Sequence, residues 1–385
     1  MSLGSFGHLG DYTKARMPLG LYVHLPFCAT HCAYCPFVIS TNMTLEDRYF
    51  DALLTEISSG HPSTTLGMTV VDTLYLGGGT PSRSSLANLS RFMLAIRDHF
   101  TIEDNAEVTL EANPEDVTAD ALDTWQRLGV NRVSIGVQSF RDEELQAIGR
   151  LHDAARARAA VTLAIQHGFR TNLDLILGLP QQTVESFRES LDAAIEVGTG
   201  HLSLYMLDLD EKTPLAASVA RGRTRLPDED DVADLYIEAI ERLGSAGLAQ
   251  YEISNFAREG DESRHNLRYW RRDEYLGLGV GAHSFASGRR FANTRDIHRY
   301  IADPAHGEDF AETLTAAETR HELLFLKLRQ TAGINYDELA ALGGQEAKEW
   351  TERGLREGWL RRAGSCVAFT PAGFLLSNDY ISQLF

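Results

Sequence analysis

The chain has 385 residues, 43% hydrophobic and 23% charged, with 36 Lys and Arg against 54 Asp and Glu for a net charge of −18. That length holds one large domain and a smaller one, while the acidic balance excludes a broad nucleic-acid-binding surface, which needs clustered Lys and Arg. No apolar run nears the roughly 20 residues of a membrane span. With no secretory leader and only four cysteines, the chain does not read as a disulfide scaffold, and the expectation is a cytoplasmic protein.

The first 17 residues are Gly-rich without periodicity and read as a flexible arm. Leu19 to Leu25 is an apolar run that reads as a buried strand. Pro26 stops it, so Cys28, Cys32 and Cys35, spaced C-x3-C-x2-C, fall on the following loop. Leu45, Tyr49, Phe50, Leu53, Leu54 and Ile57 repeat at helical spacing. A second strand, Val70–Leu76, runs into Gly77-Gly78-Gly79-Thr80-Pro81, and Leu86, Leu89, Phe92, Met93 and Ile96 mark the next helix. Strand Glu107–Glu111, a break at Asn113-Pro114 and a helix from Thr118 closed by Gly129 follow. Then come strand Arg132–Gln138, two helices ended by Gly168, strand Asn172–Leu177, a helix from Thr183 to Gly198, and strand Leu202–Leu207. Six buried strands alternating with helices predict a parallel α/β sheet. Six units are too few to close an eight-fold barrel, so an open partial barrel is expected, with any ligand at the carboxyl ends of the strands.

Three clustered thiols suit two chemistries. A structural zinc site would need a fourth ligand, from His31 or the distant Cys366, and usually pairs two short Cys/His clusters. A [4Fe–4S] cluster held by three thiolates fits the spacing better and leaves one iron open to a small molecule. A tight turn explains one glycine of Gly77-Gly78-Gly79; three in a row suit a backbone that something approaches closely. Glu111 ends the third strand, where a carboxylate often caps a helix, but Asn113 can fill that role. Gln138 ends the fourth strand. Asp174 lies inside an apolar strand and needs a partner, either a ligand hydroxyl or a neighbouring backbone group. Arg150 could pair with such a carboxylate or with one on a ligand.

The cysteine array, with Tyr34 before its third member, resembles the signature of the radical S-adenosylmethionine (SAM) superfamily. In that superfamily the open iron chelates the methionine end of SAM, and electron transfer from the cluster cleaves the sulfonium C–S bond to release a 5′-deoxyadenosyl radical. YVHLPFC, GGGTPS, NRVSIGVQSF, GRLH and DLILGLP together resemble the branch that contains oxygen-independent coproporphyrinogen III oxidase and the HemW heme chaperones. The resemblance spans nearly the whole chain. It implies a partial (β/α)6 barrel, followed by an extension and a small, mainly helical C-terminal domain. It also implies a cluster on Cys28, Cys32 and Cys35, bound SAM and an electron-donor protein. Tyr22, Gly78, Gly79, Thr80, Glu111, Gln138, Arg150 and Asp174 would line the SAM or substrate pocket. Tyr34 would sit beside the cluster, and Met206 and His283 match more loosely.

After Pro227 the pattern changes to a helix, Val232–Leu243, then YEISNFA, His265 to Trp270 (HNLRYW) and YLGLGVGAHSF. A packed aromatic corner with a hydrogen-bonded His is the ordinary reading of HNLRYW. The segment also resembles the HNxxYW element of HemW proteins, which implies His265 as a heme-iron ligand, with His283 the alternative. A helical pattern from about Ala311, a short strand near Cys366 to Thr370 and an isolated, buried Cys366 complete the expectations. The expected divisions are an arm over 1–17, a core over 18–225, an extension over 226–308 and a C-terminal domain over 309–385.

Three functions fit. The first is a heme chaperone that hands heme to an acceptor protein, touching a membrane only through that acceptor. The second is a coproporphyrinogen III dehydrogenase, in which the adenosyl radical takes hydrogen from a propionate side chain and CO2 leaves. The third is a radical SAM enzyme acting on another substrate. The oxidases carry a further cysteine two residues after the third, where this chain has Phe37, and usually a longer arm than the 27 residues before Cys28. Those departures and HNLRYW favour the chaperone, although Pro36 stands where an acidic or amide residue is commoner.

Overall fold

The computed structural model describes residues 18–59 and 69–384; the arm expected over 1–17 lies outside the described residues. Six parallel strands form the core sheet: β1 (Leu19–Leu25), β2 (Thr69–Gly78), β3 (Phe100–Ala112), β4 (Arg132–Gln138), β5 (Arg170–Leu177) and β6 (His201–Met206). Helices α1 (Glu46–Ser58), α2 (Leu86–His99), α3 (Ala119–Arg127), α4 (Asp142–Ala147), α5 (Ala154–Gln166) and α6 (Val184–Val197) connect them. The local signals act as the sequence suggests. Thr118 and Thr183 cap α3 and α6, and Gly198 ends α6 in the left-handed conformation that glycine adopts without strain.

Alternation along the strands gives each one two faces. Leu21, Val23, Leu74, Leu76, Leu110, Val133, Ile135, Leu173 and Leu204 are buried in the apolar core. The alternate positions on β2 to β6 carry a polar row: Thr73 and Tyr75, Glu107 and Glu111, Arg132 and Ser134, Asn172 and Asp174, His201 and Ser203. Hydrogen bonds join these residues across neighbouring strands. This polar face is the barrel lumen. Arg132 and Glu107 pair near its amino-terminal end, both buried.

The second half enlarges the sheet at both edges, which the pattern of short segments did not foretell. After α7 (Pro214–Ala220) and α8 (Glu229–Ser245), β8 (Asn255–Ala257) adds antiparallel to β6, and β7 (Ala249–Gln250) pairs antiparallel with β8 at the sheet's outer edge. After α9 (Arg264–Arg271), β9 (Tyr275–Leu278) lies parallel to β1. Then β10 (His283–Ala286), β11 (Arg289–Asn293) and, beyond α10 (Ile297–Ala302), β12 (Glu308–Thr313) continue the sheet antiparallel. The helical pattern expected from Ala311 starts later: Glu308–Thr313 is a strand paired with β11, and the helix α11 is Ala316–Leu328. The expected 308/309 division therefore falls inside a strand. The remainder, residues 329–384, holds β13 (Ile334–Asn335), α12 (Tyr336–Arg356), β14 (Leu360–Ala363), β15 (Cys366–Phe369), α13 (Pro371–Leu375) and α14 (Ser377–Ser382). Its three strands form a separate small sheet, and Cys366 is half-buried rather than buried. Among the described residues no helix is long and apolar enough to cross a membrane.

Candidate functional site

The cysteine loop is tied down at both ends. Ser40 donates to Pro26 O at 2.8 Å and Cys28 donates to Ser40 O at 3.0 Å, closing residues 28–40 into a lobe over the carboxyl end of β1. Ala33 N–H reaches Ile148 O, and Leu215 N–H at the start of α7 reaches Ala33 O. Tyr34 packs on Ile148, Ile176 and Leu179. His31 Nε2 bonds Cys35 O at 3.2 Å, so this histidine braces the loop's own backbone.

The glycine run docks the loop on β2. Gly79 donates to Leu25 O and Thr80 to Phe27 O, each at 2.9 Å. A Cβ on Gly79 would stand 2.5 Å from the Pro26 carbonyl carbon; one on Gly78, whose φ is +109°, would meet the His24 ring at 2.6 Å. Gly79 is thus required by close backbone approach, and Gly78 by its left-handed φ and the adjacent His24 ring. Thr80 then places its hydroxyl 3.2 Å from Cys28 Sγ.

Cys28, Cys32 and Cys35 are free thiols along the wall of one cavity of about 410 Å3 at the carboxyl ends of the strands. Gly78, Gly79, Thr80, Glu111, Gln138, Arg150, Asp174, Tyr34 and Met206 line the same cavity. Glu111 accepts Tyr75 O–H at 2.8 Å and Gly78 N–H at 3.0 Å; burial, with Asp174 nearby, pushes it up to about 7. Asp174 accepts Asn172 Nδ2–H at 2.8 Å and is pushed up to about 6 by burial. Arg150 donates to Asn113 Oδ1 and Gly136 O, each at 2.7 Å, and its Nη1 lies 3.7 Å from Cys32 Sγ. Gln138 holds a left-handed φ of 68°, strain of the kind found at functional sites.

Two expected pocket residues border a neighbouring recess, although the Tyr22 ring lies beside Gly77 next to the Glu111 carboxylate. Tyr22 and His283 line a second cavity of about 430 Å3, which shares Pro36 and Phe37 with the first. His265 lines neither. It is 1% exposed, its Nδ1 bonds Thr73 Oγ1 and its Nε2 bonds Tyr269 Oη, each at 2.9 Å, and its ring stacks on Tyr75. HNLRYW therefore packs against the lumen as a hydrogen-bonded aromatic corner, and burial holds the His265 imidazole down at about 3. Sequence reasoning missed Tyr75, Ser134, Gly136 and Tyr205, which passed for core or turn residues. Asn113, read only as a cap, holds Arg150.

Residues 22–194 match the model of the radical SAM superfamily. The chain is 38% identical to the heme chaperone HemW of Mycobacterium tuberculosis over 95% of each protein, and 35% identical to the HemW of Bacillus subtilis over 93% and 97%. The chain belongs to the HemW family of radical SAM proteins. The structure of the Escherichia coli coproporphyrinogen III oxidase HemN, a radical SAM enzyme, is also similar, with a TM-score of 0.82 at 26% identity over 95% of this chain and 90% of that one.

Membership in the HemW family implies a [4Fe–4S] cluster and SAM, and the residues present fit both. Three thiols share one wall with a hydroxyl donor and a guanidinium that offset thiolate charge. Among the described residues no Cys, His, Asp and Glu trio converges for a single ion. A mononuclear zinc site would hold its sulfurs about 3.8 Å apart. Glu111 and Asp174 face the cavity with no ion-pair partner among the described residues, so they can receive an ammonium group and hydroxyls.

Proposed function

We propose that this chain is a heme chaperone that carries a [4Fe–4S] cluster and SAM and passes heme to an acceptor protein. The observation that carries the reading is the near end-to-end likeness to HemW proteins, higher in identity than the likeness to HemN. Phe37, where the oxidases have a further cysteine, supports it. When bound, the cluster and SAM supply one-electron chemistry. In this reading Cys28, Cys32 and Cys35 hold the cluster, and Arg150 and Thr80 steady the thiolates of Cys32 and Cys28. The Gly78-Gly79 backbone and Glu111 receive the amino group of SAM, and Asp174 its ribose hydroxyls. Gln138 and Met206 complete the wall. An electron-donor protein would serve the loop face, where the rim residues Phe37 and Met206 are exposed.

The similarity to HemN supports one second reading, coproporphyrinogen oxidation. Both are tested on anaerobic, cluster-loaded protein. The expected result is stoichiometric heme uptake, with protoporphyrinogen formation from coproporphyrinogen III, SAM and a strong reductant no higher than in a Cys32→Ala control. Protoporphyrinogen above that control would overturn the chaperone assignment in favour of the oxidase.

A further inference from the structure

The second cavity borders the cluster loop at Pro36, Phe37 and Val38, on the side of β1, β9 and β10. Its walls are aromatic: Tyr22, Tyr269, Tyr275 and Phe37. Two polar side chains there have no hydrogen-bond or ion-pair partner among the described residues, although the His283 ring lies 6.3 Å from that of Phe310. His283 is exposed, and neither ring nitrogen makes a hydrogen bond among the described residues. The other two histidines near this cavity are fully engaged: His24 by Tyr22 Oη and Val38 O, His265 by Thr73 and Tyr269. Arg295 is likewise exposed and has no ion pair among the described residues, in a protein where many arginines are paired. The acid of this lining, Asp210, accepts Lys212 N–H at 2.8 Å. An unengaged imidazole, a free guanidinium and flat aromatic walls in one recess match the parts of an iron porphyrin: a metal needing a nitrogen ligand, propionates and a planar macrocycle.

We propose that this second cavity is the heme site, with His283 the axial ligand and Arg295 the partner of a propionate. The assignment rests on the heme-carrying reading above and moves the iron ligand away from HNLRYW. His265 would have to break two hydrogen bonds and leave the interior to reach a ligand. Its part is to position Tyr269, a wall of the cavity, through the 2.9 Å bond to the phenol. Partial burial and the nearby Arg295 charge hold His283 below the ordinary imidazole value, which keeps it in the neutral, ligating form. The two cavities share Pro36 and Phe37, so heme bound here would lie against the same loop that carries the cysteines.

The test is a heme titration of anaerobic, cluster-loaded protein followed by the Soret band, for wild type, His283→Ala, Arg295→Glu and His265→Ala. Both cavity side chains are exposed, and unchanged cluster absorbance reports an intact fold in their variants. His283→Ala should lose the imidazole-ligated spectrum and bind at least about tenfold more weakly, and free imidazole should restore the spectrum. Arg295→Glu should weaken binding several-fold with the spectrum unchanged. A wild-type spectrum in His283→Ala, with or without its loss in His265→Ala, overturns this assignment while the chaperone reading stands. Wild-type protein that takes up no heme overturns both.

Discussion

Glu111 shows how a single carboxylate is tuned by its surroundings. It is buried at the end of β3, held by a phenol and a backbone N–H, and unpaired by any cation among the described residues, so it keeps its proton to about pH 7. A ligand ammonium needs the ionised form. Below pH 7 binding must expel a proton, so SAM affinity should fall by up to about tenfold per pH unit as the solution is acidified. Equilibrium SAM binding to cluster-loaded protein at pH 6 and pH 8 should show this slope. Glu111→Gln should bind about 10- to 100-fold more weakly at pH 8 and lose the slope; an unchanged slope in the variant would assign the titration to another group. Glu111 and Asp174 were legible in the sequence because a carboxylate in an apolar strand demands a partner. Tyr75 and Asn113, which support Glu111 and Arg150, were not. A tyrosine in a strand and an asparagine before a proline have ordinary roles, and only the register of β2 against β3 brings Tyr75 to Glu111.

At the scale of elements, the cluster loop depends on a contact between backbones. Gly79 lies against the Pro26 carbonyl because the loop closes directly over the end of β2. Neither side can yield cheaply, since both are main chain. Gly79→Ala should therefore lift the loop and displace Thr80 from Cys28. Far-ultraviolet circular dichroism should stay near wild type while cluster absorbance after reconstitution drops by at least half. A variant that holds a full cluster would show that the loop can shift without losing its ligands. Five of the six core strands were readable because each is a short apolar run punctuated by Gly or Pro; β3 was read only over Glu107–Glu111, whereas it begins at Phe100 in the polar stretch FTIEDNA. The six later strands of the large sheet were not, being two to six residues long. The 12-stranded sheet they complete has no local signature. β12, reading EDFAET and mostly exposed, lacks the apolar run that announces a buried strand. HNLRYW was legible as a motif but not in its place: a helix carrying His, Tyr and Trp reads the same whether it meets a ligand or the lumen of a barrel.

Across the whole molecule, the barrel joins the C-terminal region through the turn after β7. Ile253 N–H bonds Arg329 O at 3.0 Å, Thr331 N–H bonds Tyr251 O at 3.1 Å, and Glu252 bridges to Gln330. Glu252 is fully buried in this joint. Its Oε2 accepts Ser254 N–H at 3.1 Å, but its Oε1 has no donor among the described residues. Burial outweighs the hydrogen bonds and the nearby Arg329, and pushes the carboxyl from 4.5 up to about 7. Between those values the folded chain holds a proton that the unfolded chain has released. The stability tied to Glu252 is thus complete below about pH 4.5, falls as pH rises, and is gone once pH passes about 7. The loss is at most about 3 kcal/mol, from roughly 1.4 kcal/mol per pH unit. Glu252→Gln keeps the shape of the protonated side chain and cannot ionise. Its thermal midpoint should lie within about 1 °C of wild type at pH 5 and exceed it by up to about 4 °C at pH 8, given the unfolding entropy of a chain this long. Equal gaps at both pH values would mean that Glu252 is ionised in the fold throughout, with the joint held by its charge on Arg329 rather than by a buried proton.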